Sequence, residues 1–160
     1  MGGYCGGEIA ASLATDAVAR DFMEYLIAHA LHEQPLAAED GLRHAFMRAN
    51  AAVNEHAQTN EGCADMGTTL CVALAFDNRL YVASIGDSRA YLFRDGELAQ
   101  LTRDDSVLQQ LVDAGKITAE EATHHPLDNV ITRSIGAGET LDSLDVITDE
   151  FNPGDIVLTC

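Results

Sequence analysis

The chain has 160 residues, a length suited to one compact domain that hides roughly 70% of the surface its unfolded form exposes. At 47% hydrophobic and 22% charged it is not a disordered, collagen-like or coiled-coil sequence. Twenty-six Asp and Glu against 9 Lys and Arg give a net charge of −17, which repels nucleic-acid phosphates and anionic lipid and favours divalent cations or basic partners.

Helical spacing opens the chain. From Gly7 onward Ile9, Leu13, Ala17, Phe22, Leu26 and Ala30 recur near every 3.6 residues, with no proline before Pro35. A second helix is predicted around Glu39 to Gln58, where Leu42, Ala45, Phe46, Ala49, Ala52, Val53 and His56 form a stripe. Strand-like runs follow: Thr68 to Phe76, Leu80 to Ile85, Arg89 to Phe93 and Glu97 to Leu101. Asp77-Asn78, Gly86-Asp87 and Asp95-Gly96 punctuate them, and turns this short predict consecutive antiparallel hairpins. Helices followed by hairpins read as α+β, with the helices covering one face of an antiparallel sheet.

After Leu101 the pattern changes. Asp105 or Ser106 is positioned to cap a short helix carrying Val107, Leu108, Leu111 and Val112, stopped by Gly115. Thr118 to Glu121 fits a capping box. Leu127 to Glu139 is irregular, and strand character returns at Leu141 to Thr148 and Ile156 to Leu158. No repeat, linker or low-complexity tract interrupts residues 1–160, which read as a single domain.

The longest apolar run, Leu70 to Phe76, is far short of the ~20 residues of a spanning helix. The N-terminus has no basic or apolar region of a secretory signal. Cys5, Cys63, Cys71 and Cys160 lie far apart without a C-x-x-C, against a zinc site and in keeping with a reducing, cytoplasmic setting. Both ends read as cut, the first inside a glycine-rich loop and the second just after a strand.

Three features bear on chemistry. Gly2 to Glu8 is a glycine-rich turn feeding a helix, which can present N–H groups to an anion or serve only as a tight turn. It lacks the preceding strand of a dinucleotide fingerprint and the lysine of a phosphate-binding loop. Gly86-Asp87-Ser88-Arg89 places a carboxylate and a hydroxyl between two strands. A serine nucleophile needs a histidine and an oriented carboxylate, so Asp87 as a hard-metal ligand is the better reading; the bland one is a turn residue bonding its own backbone. His124-His125 point apart in extended chain, and His29 and His32, spaced i and i+3, read as solvated helix residues. No D-x-D-x-D-G calcium loop is present.

In order along the chain stand M-G-G-x-x-G-G-E-I-A (from Met1), M-G-T-T-L (Met66 to Leu70), G-D-S-R-A-Y-L (Gly86 to Leu92) and L-T-R-D-D-S (Leu101 to Ser106). G-K-I-T-x-E-E-A-x-x-H-P (Gly115 to Pro126), N-x-I-T-R-S-I-G (Asn129 to Gly136) and G-D-I-V-L-T-C (Gly154 to Cys160) follow. This series closely resembles the metal-dependent protein phosphatases, type 2C, in their bacterial form, over essentially the whole chain.

The resemblance implies a β-sandwich of two antiparallel sheets flanked by helices on both sides, here incomplete. It implies hydrolysis of phosphoserine and phosphothreonine on proteins, as targets of a Ser/Thr kinase, with no nucleic acid or membrane involved. The cofactors implied are two Mg²⁺ or Mn²⁺ ions roughly 3.5–4 Å apart, activating a water. Asp87 matches a family aspartate associated with a third metal, and Asn129 a flap residue near it. Residues 114–133 match the family's mobile flap, and Asp105 stands where many relatives have histidine. Met1 stands where some relatives carry a histidine proposed as general acid, a role methionine cannot fill. The family's bridging aspartate precedes the position of Met1 and two further metal aspartates follow that of Cys160. The piece alone is therefore expected to be inactive, with exposed sheet edges. The alternative is a non-catalytic phosphatase-like binding or regulatory module.

Overall fold

In the computed structural model, which describes residues 6–32, 37–60, 62–138, 140–141 and 143–160, the first part of the chain forms helices α1 (Gly7–His32) and α2 (Ala38–Thr59). They meet through small side chains, Ala10, Ala14 and Val18 of α1 sharing one buried cluster with Ala45, Phe46, Ala49 and Val53 of α2. A Cβ at Gly41 would stand 2.7 Å from the Tyr25 ring, so only glycine admits that ring against α2. The stripe expected on α1 is rotated by one position: Ala10 is buried, whereas Ile9 is 42% exposed. The narrow gap against α2 takes the alanine edge and turns the larger isoleucine to solvent. The glycine-rich segment before Gly6 lies outside the described residues.

Strands β1 (Leu70–Phe76), β2 (Arg79–Ile85) and β5 (Val146–Glu150) form one antiparallel sheet in the order β1-β2-β5. A second antiparallel sheet has the order β4-β3-β6, from β3 (Ala90–Arg94), β4 (Glu97–Gln100) and β6 (Ile156–Thr159). Alternation divides the first sheet cleanly. Leu70, Val72, Ala83, Ile85 and Val146 pack with the helices, while Cys71, Leu80, Val82 and Ile147 pack with Ala90, Leu92 and Val157 of the second sheet. The α+β sandwich therefore stands, with α1 and α2 on the outside of the first sheet. The outer face of the second carries exposed Phe93, Leu98, Ile156 and Leu158.

The expected run of consecutive hairpins breaks at one point. Turns with positive φ at Asp77 and Asn78, and at Asp95 and Gly96, do close β1-β2 and β3-β4. Gly86 to Arg89 closes nothing: β2 pairs with β1 and β5, β3 with β4 and β6, and the turn carries the chain between layers. A hairpin turn and a crossing turn share the same residue types, so composition alone does not separate them. The strand expected from Leu141 begins at Val146, and Asp142 lies outside the described residues.

Between the sheets' last pairings lie α3 (Val107–Asp113) and α4 (Ala119–Ala122). Ser106, not Asp105, caps α3 by accepting from the Gln109 amide at 3.1 Å. The capping box on α4 is formed as expected, Thr118 Oγ1 accepting from the Glu121 amide at 3.1 Å and Glu121 Oε2 from the Thr118 amide at 2.8 Å. That reciprocal bonding, the Thr118 amide above all and then its hydroxyl, lowers the Glu121 pKa. Among the described residues no helix is long and apolar enough to cross a membrane.

Candidate functional site

The Gly86–Arg89 turn is built so that three of its four residues are fastened. Gly86, at φ +100°, sits where a Cβ would fall 2.3 Å from Thr69 Cγ2; glycine alone meets both the conformation and the space. Its amide donates to Asp105 Oδ2 at 3.0 Å, and its carbonyl accepts from the Asp105 amide at 2.9 Å. Ser88 Oγ shares a hydrogen bond of 2.9 Å with Thr69 Oγ1.

Arg89 forks onto Asp104, with Nε to Oδ1 at 2.8 Å and Nη2 to Oδ2 at 2.6 Å. Asp104 is only 7% exposed, so this pair neutralises a carboxylate that could not be left alone there. Its hydrogen bonds, ahead of that from Tyr91, raise the Arg89 pKa above the ordinary arginine value. Thr102 Oγ1 accepts from the Ala90 amide at 3.0 Å and closes the end of β3.

Asp87 is the residue left over. Its half-buried carboxylate makes no hydrogen bond or ion pair among the described residues, although both neighbours are anchored. The turn-residue alternative, in which the side chain bonds its own backbone, is therefore not what the structure holds. An anionic oxygen donor on a fixed turn suits a hard divalent ion as a single ligand. It does not make a metal centre alone: among the described residues no group of three or more His, Cys, Asp or Glu side chains could hold an ion. The described residues do not fit the two-ion centre that the motif resemblance implies.

The remaining candidates separate. Ser88 has no histidine or carboxylate partner among the described residues, which removes the nucleophile reading. Asn129 donates to its neighbour Asp128 at 2.7 Å and makes no hydrogen bond to Asp87. His125 Nδ1 accepts from the Leu127 amide at 3.2 Å. His29 donates through Nδ1 to the Tyr25 carbonyl at 3.0 Å, and its ring lies tilted by 40° against that of Tyr25 with centroids 4.1 Å apart, which leaves it a partly exposed helix residue. The His32 side chain and Met1 lie outside the described residues. Burial, and secondarily the Cys160 charge, pushes the Cys71 thiol up to about 11, which makes it a packing group rather than a nucleophile.

Beside the turn, a cleft of about 440 Å³ opens between α3–α4 and the Arg89–Asp104 pair, with Leu108, Val112 and Ala122 among its apolar lining and His124 and Asp128 among its polar lining. Sequence reasoning gave one residue that organises this region another role and missed a second. Asp105 bonds the turn instead of capping a helix. Asn50, buried on α2, accepts from the Gly136 amide at 2.8 Å and donates to the Gly138 carbonyl at 3.2 Å. A polar residue on an otherwise apolar helix stripe was the available signal for the second.

Comparison with known proteins places this geometry. A family profile described as Protein phosphatase 2C matches residues 7–110. The serine/threonine protein phosphatase PstP of Mycobacterium tuberculosis is 38% identical over 164 aligned positions, covering 100% of this chain and 29% of that protein. The crystal structure of the M. tuberculosis phosphatase PstP/Ppp superposes with a TM-score of 0.82 at 35% identity, covering 99% of this chain and 63% of that one. The PstP catalytic domain in complex with two manganese ions superposes with a TM-score of 0.77 at 35% identity, covering 99% of this chain and 62% of that one. The chain thus spans under two thirds of the length of these relatives. The two-layer sandwich, the G-D-S-R turn that crosses it and the matched profile together make this chain a member of the protein phosphatase 2C family.

Proposed function

We propose that this chain is the central part of a Mg²⁺- or Mn²⁺-dependent serine/threonine protein phosphatase, acting on phosphoproteins made by a Ser/Thr kinase. The superposition on PstP over 99% of the chain is the observation that carries the reading. Asp87 is its metal ligand in this chain, one donor toward an ion whose other ligands are not among the described residues. Residues 1–160 act as one domain, and 114–133 form a flap, of which Ala119, Ala122 and Thr123 line the same cleft as Arg89 of the turn. The charge of −17 supports a protein substrate over nucleic acid or an anionic membrane surface, and the four dispersed cysteines support a cytoplasmic setting.

The test is phosphate release from an aryl phosphate ester and from a phosphothreonine peptide, by the 160-residue chain and by the polypeptide its gene encodes. Each is assayed with Mn²⁺ and with EDTA. Release by the encoded polypeptide that EDTA abolishes, with little or none from the 160 residues, is the expected result. Silence in a folded, Mn²⁺-loaded polypeptide would leave a non-catalytic phosphatase-like module. Removing His125 to Asn129 is expected to slow phosphopeptide turnover more than ester turnover; equal losses would make the flap a structural element only.

A further inference from the structure

The polar groups of Asp105 divide evenly between two parts of the molecule. Its amide and its Oδ2 both go to Gly86, at 2.9 and 3.0 Å. Its carbonyl accepts from the Thr132 amide at 2.7 Å, and its Oδ1 from Arg133 Nη1 at 3.3 Å. The side chain is 15% exposed. Both oxygens are engaged in holding these partners, and Ser106 already fills the helix-capping role.

The partners explain why such a bridge matters. Gly86 immediately precedes Asp87, and a rotation at its backbone would swing the Asp87 carboxylate. On the other side, residues 130–136 are stitched into the core. Val130 accepts from the Val107 amide at 3.0 Å, Ile135 exchanges bonds of 2.8 and 3.0 Å with Thr68, and Gly136 is held by Asn50. Arg133 also donates to the Ser143 carbonyl. Gly86 rests on Thr69, one residue from Thr68. Asp105 thereby ties the turn directly to residues 130–136, beside the indirect contact through Thr69 and Thr68.

We infer that Asp105 is a positioning residue that fixes the Gly86–Asp87 turn against residues 130–136, so that the Asp87 carboxylate is presented in one orientation. The inference rests on the reading of Asp87 as a metal ligand, and its experiment separates the two. Amide hydrogen exchange is followed by NMR in the intact protein, and Mn²⁺ is titrated while line broadening is read at the Asp87 and Ser88 amides. In the wild type the Gly86 amide is expected to be protected and Mn²⁺ is expected to broaden Asp87.

Asp105→Ala is expected to speed Gly86 exchange and raise the Mn²⁺ concentration for half-broadening by about tenfold or more, the usual scale for losing an outer support of a ligand. Asp105→Asn keeps an oxygen for the Gly86 amide and is expected to restore protection and most of the Mn²⁺ response. A residue needed only for folding would give no such rescue at matched stability. Should the alanine variant not fold, Asp105→Ser, whose hydroxyl is one bond short of Gly86, carries the same expectation. Wild-type Mn²⁺ response in the alanine or serine variant overturns the positioning role and leaves the ligand reading standing. Absence of broadening at Asp87 in the wild type overturns the ligand reading, and the inference falls with it.

Discussion

Two turns carry this chain from one sheet to the other, and both contain Gly-Asp. Gly86-Asp87 joins β2 to β3, and Gly154-Asp155 joins β5 to β6; both glycines have φ +100°. Each turn is locked by a forked arginine, Arg89 just before β3 onto Asp104 and Arg94 at the end of β3 onto Asp155. The difference lies in which carboxylate the fork consumes. At the far turn it takes the turn's own aspartate: Asp155 meets Arg94 at 3.0 and 2.8 Å and the Asn152 amide at 2.8 Å. At the near turn the fork takes Asp104, from another segment, and Asp87 is left without a partner among the described residues. A Gly-Asp turn is thus a structural rivet or a candidate ligand according to where its arginine finds a partner.

The largest expected contrast lies in the glycines. Gly86→Ala puts a methyl 2.3 Å from Thr69 Cγ2 at a positive φ, combining backbone strain with overpacking for a loss of about 3 kcal/mol or more. Gly154→Ala meets nothing within 4 Å, so only the backbone term remains, about 1–2 kcal/mol. Urea unfolding with unchanged m-values measures both. Equal losses would mean that Thr69 yields freely and that the near turn is no more constrained than the far one.

Next in size is Arg89→Met. It leaves Asp104, 7% exposed, without its fork, where removing one partner of a fully buried pair costs about 3–5 kcal/mol. Arg89 itself is 43% exposed and water reaches part of the pair, which brings the expected loss to about 2 kcal/mol in the same unfolding assay. A loss below about 0.5 kcal/mol would show that Asp104 is already satisfied by Gln100 and water.

Much of the scaffold was legible because its signals are local. The α2 stripe, the two hairpin turns with positive φ and the Thr118–Glu121 box each depend on residues within a few positions of one another. The ordered motifs carried the family. What was not legible depends on distant pairing. Nothing near Gly86 says that β2 will pair with β5 while β3 pairs with β6, a choice made by segments some sixty residues further on. Asp105 and Ser106 both read as caps because either residue type before an apolar run usually is one, and the bonds of Asp105 to Gly86 and Arg133 exist only in the folded chain. For Asp87 the sequence supplied the donor type, and the structure shows no competing partner among the described residues.

The smallest effects test the comparison most directly, because the same substitution is made at both turns. Arg94, and after it the Asn152 amide, lowers the Asp155 pKa below the ordinary carboxylate value. A group depressed in the folded state contributes stability above its unfolded pKa, near 3.9, and that contribution is lost as pH falls through the folded value. Asp155→Asn is therefore expected to lower stability at pH 7 and to flatten its decline below about pH 4. Asp87→Asn removes no bond seen among the described residues and is expected to leave stability within about 0.5 kcal/mol of wild type at both pH values, while abolishing Mn²⁺ broadening at the turn. If Asp87→Asn instead destabilised the fold as Asp155→Asn does, the near aspartate would be a rivet like the far one. The functional reading of its free carboxylate would then have to be given up, even with the family assignment intact.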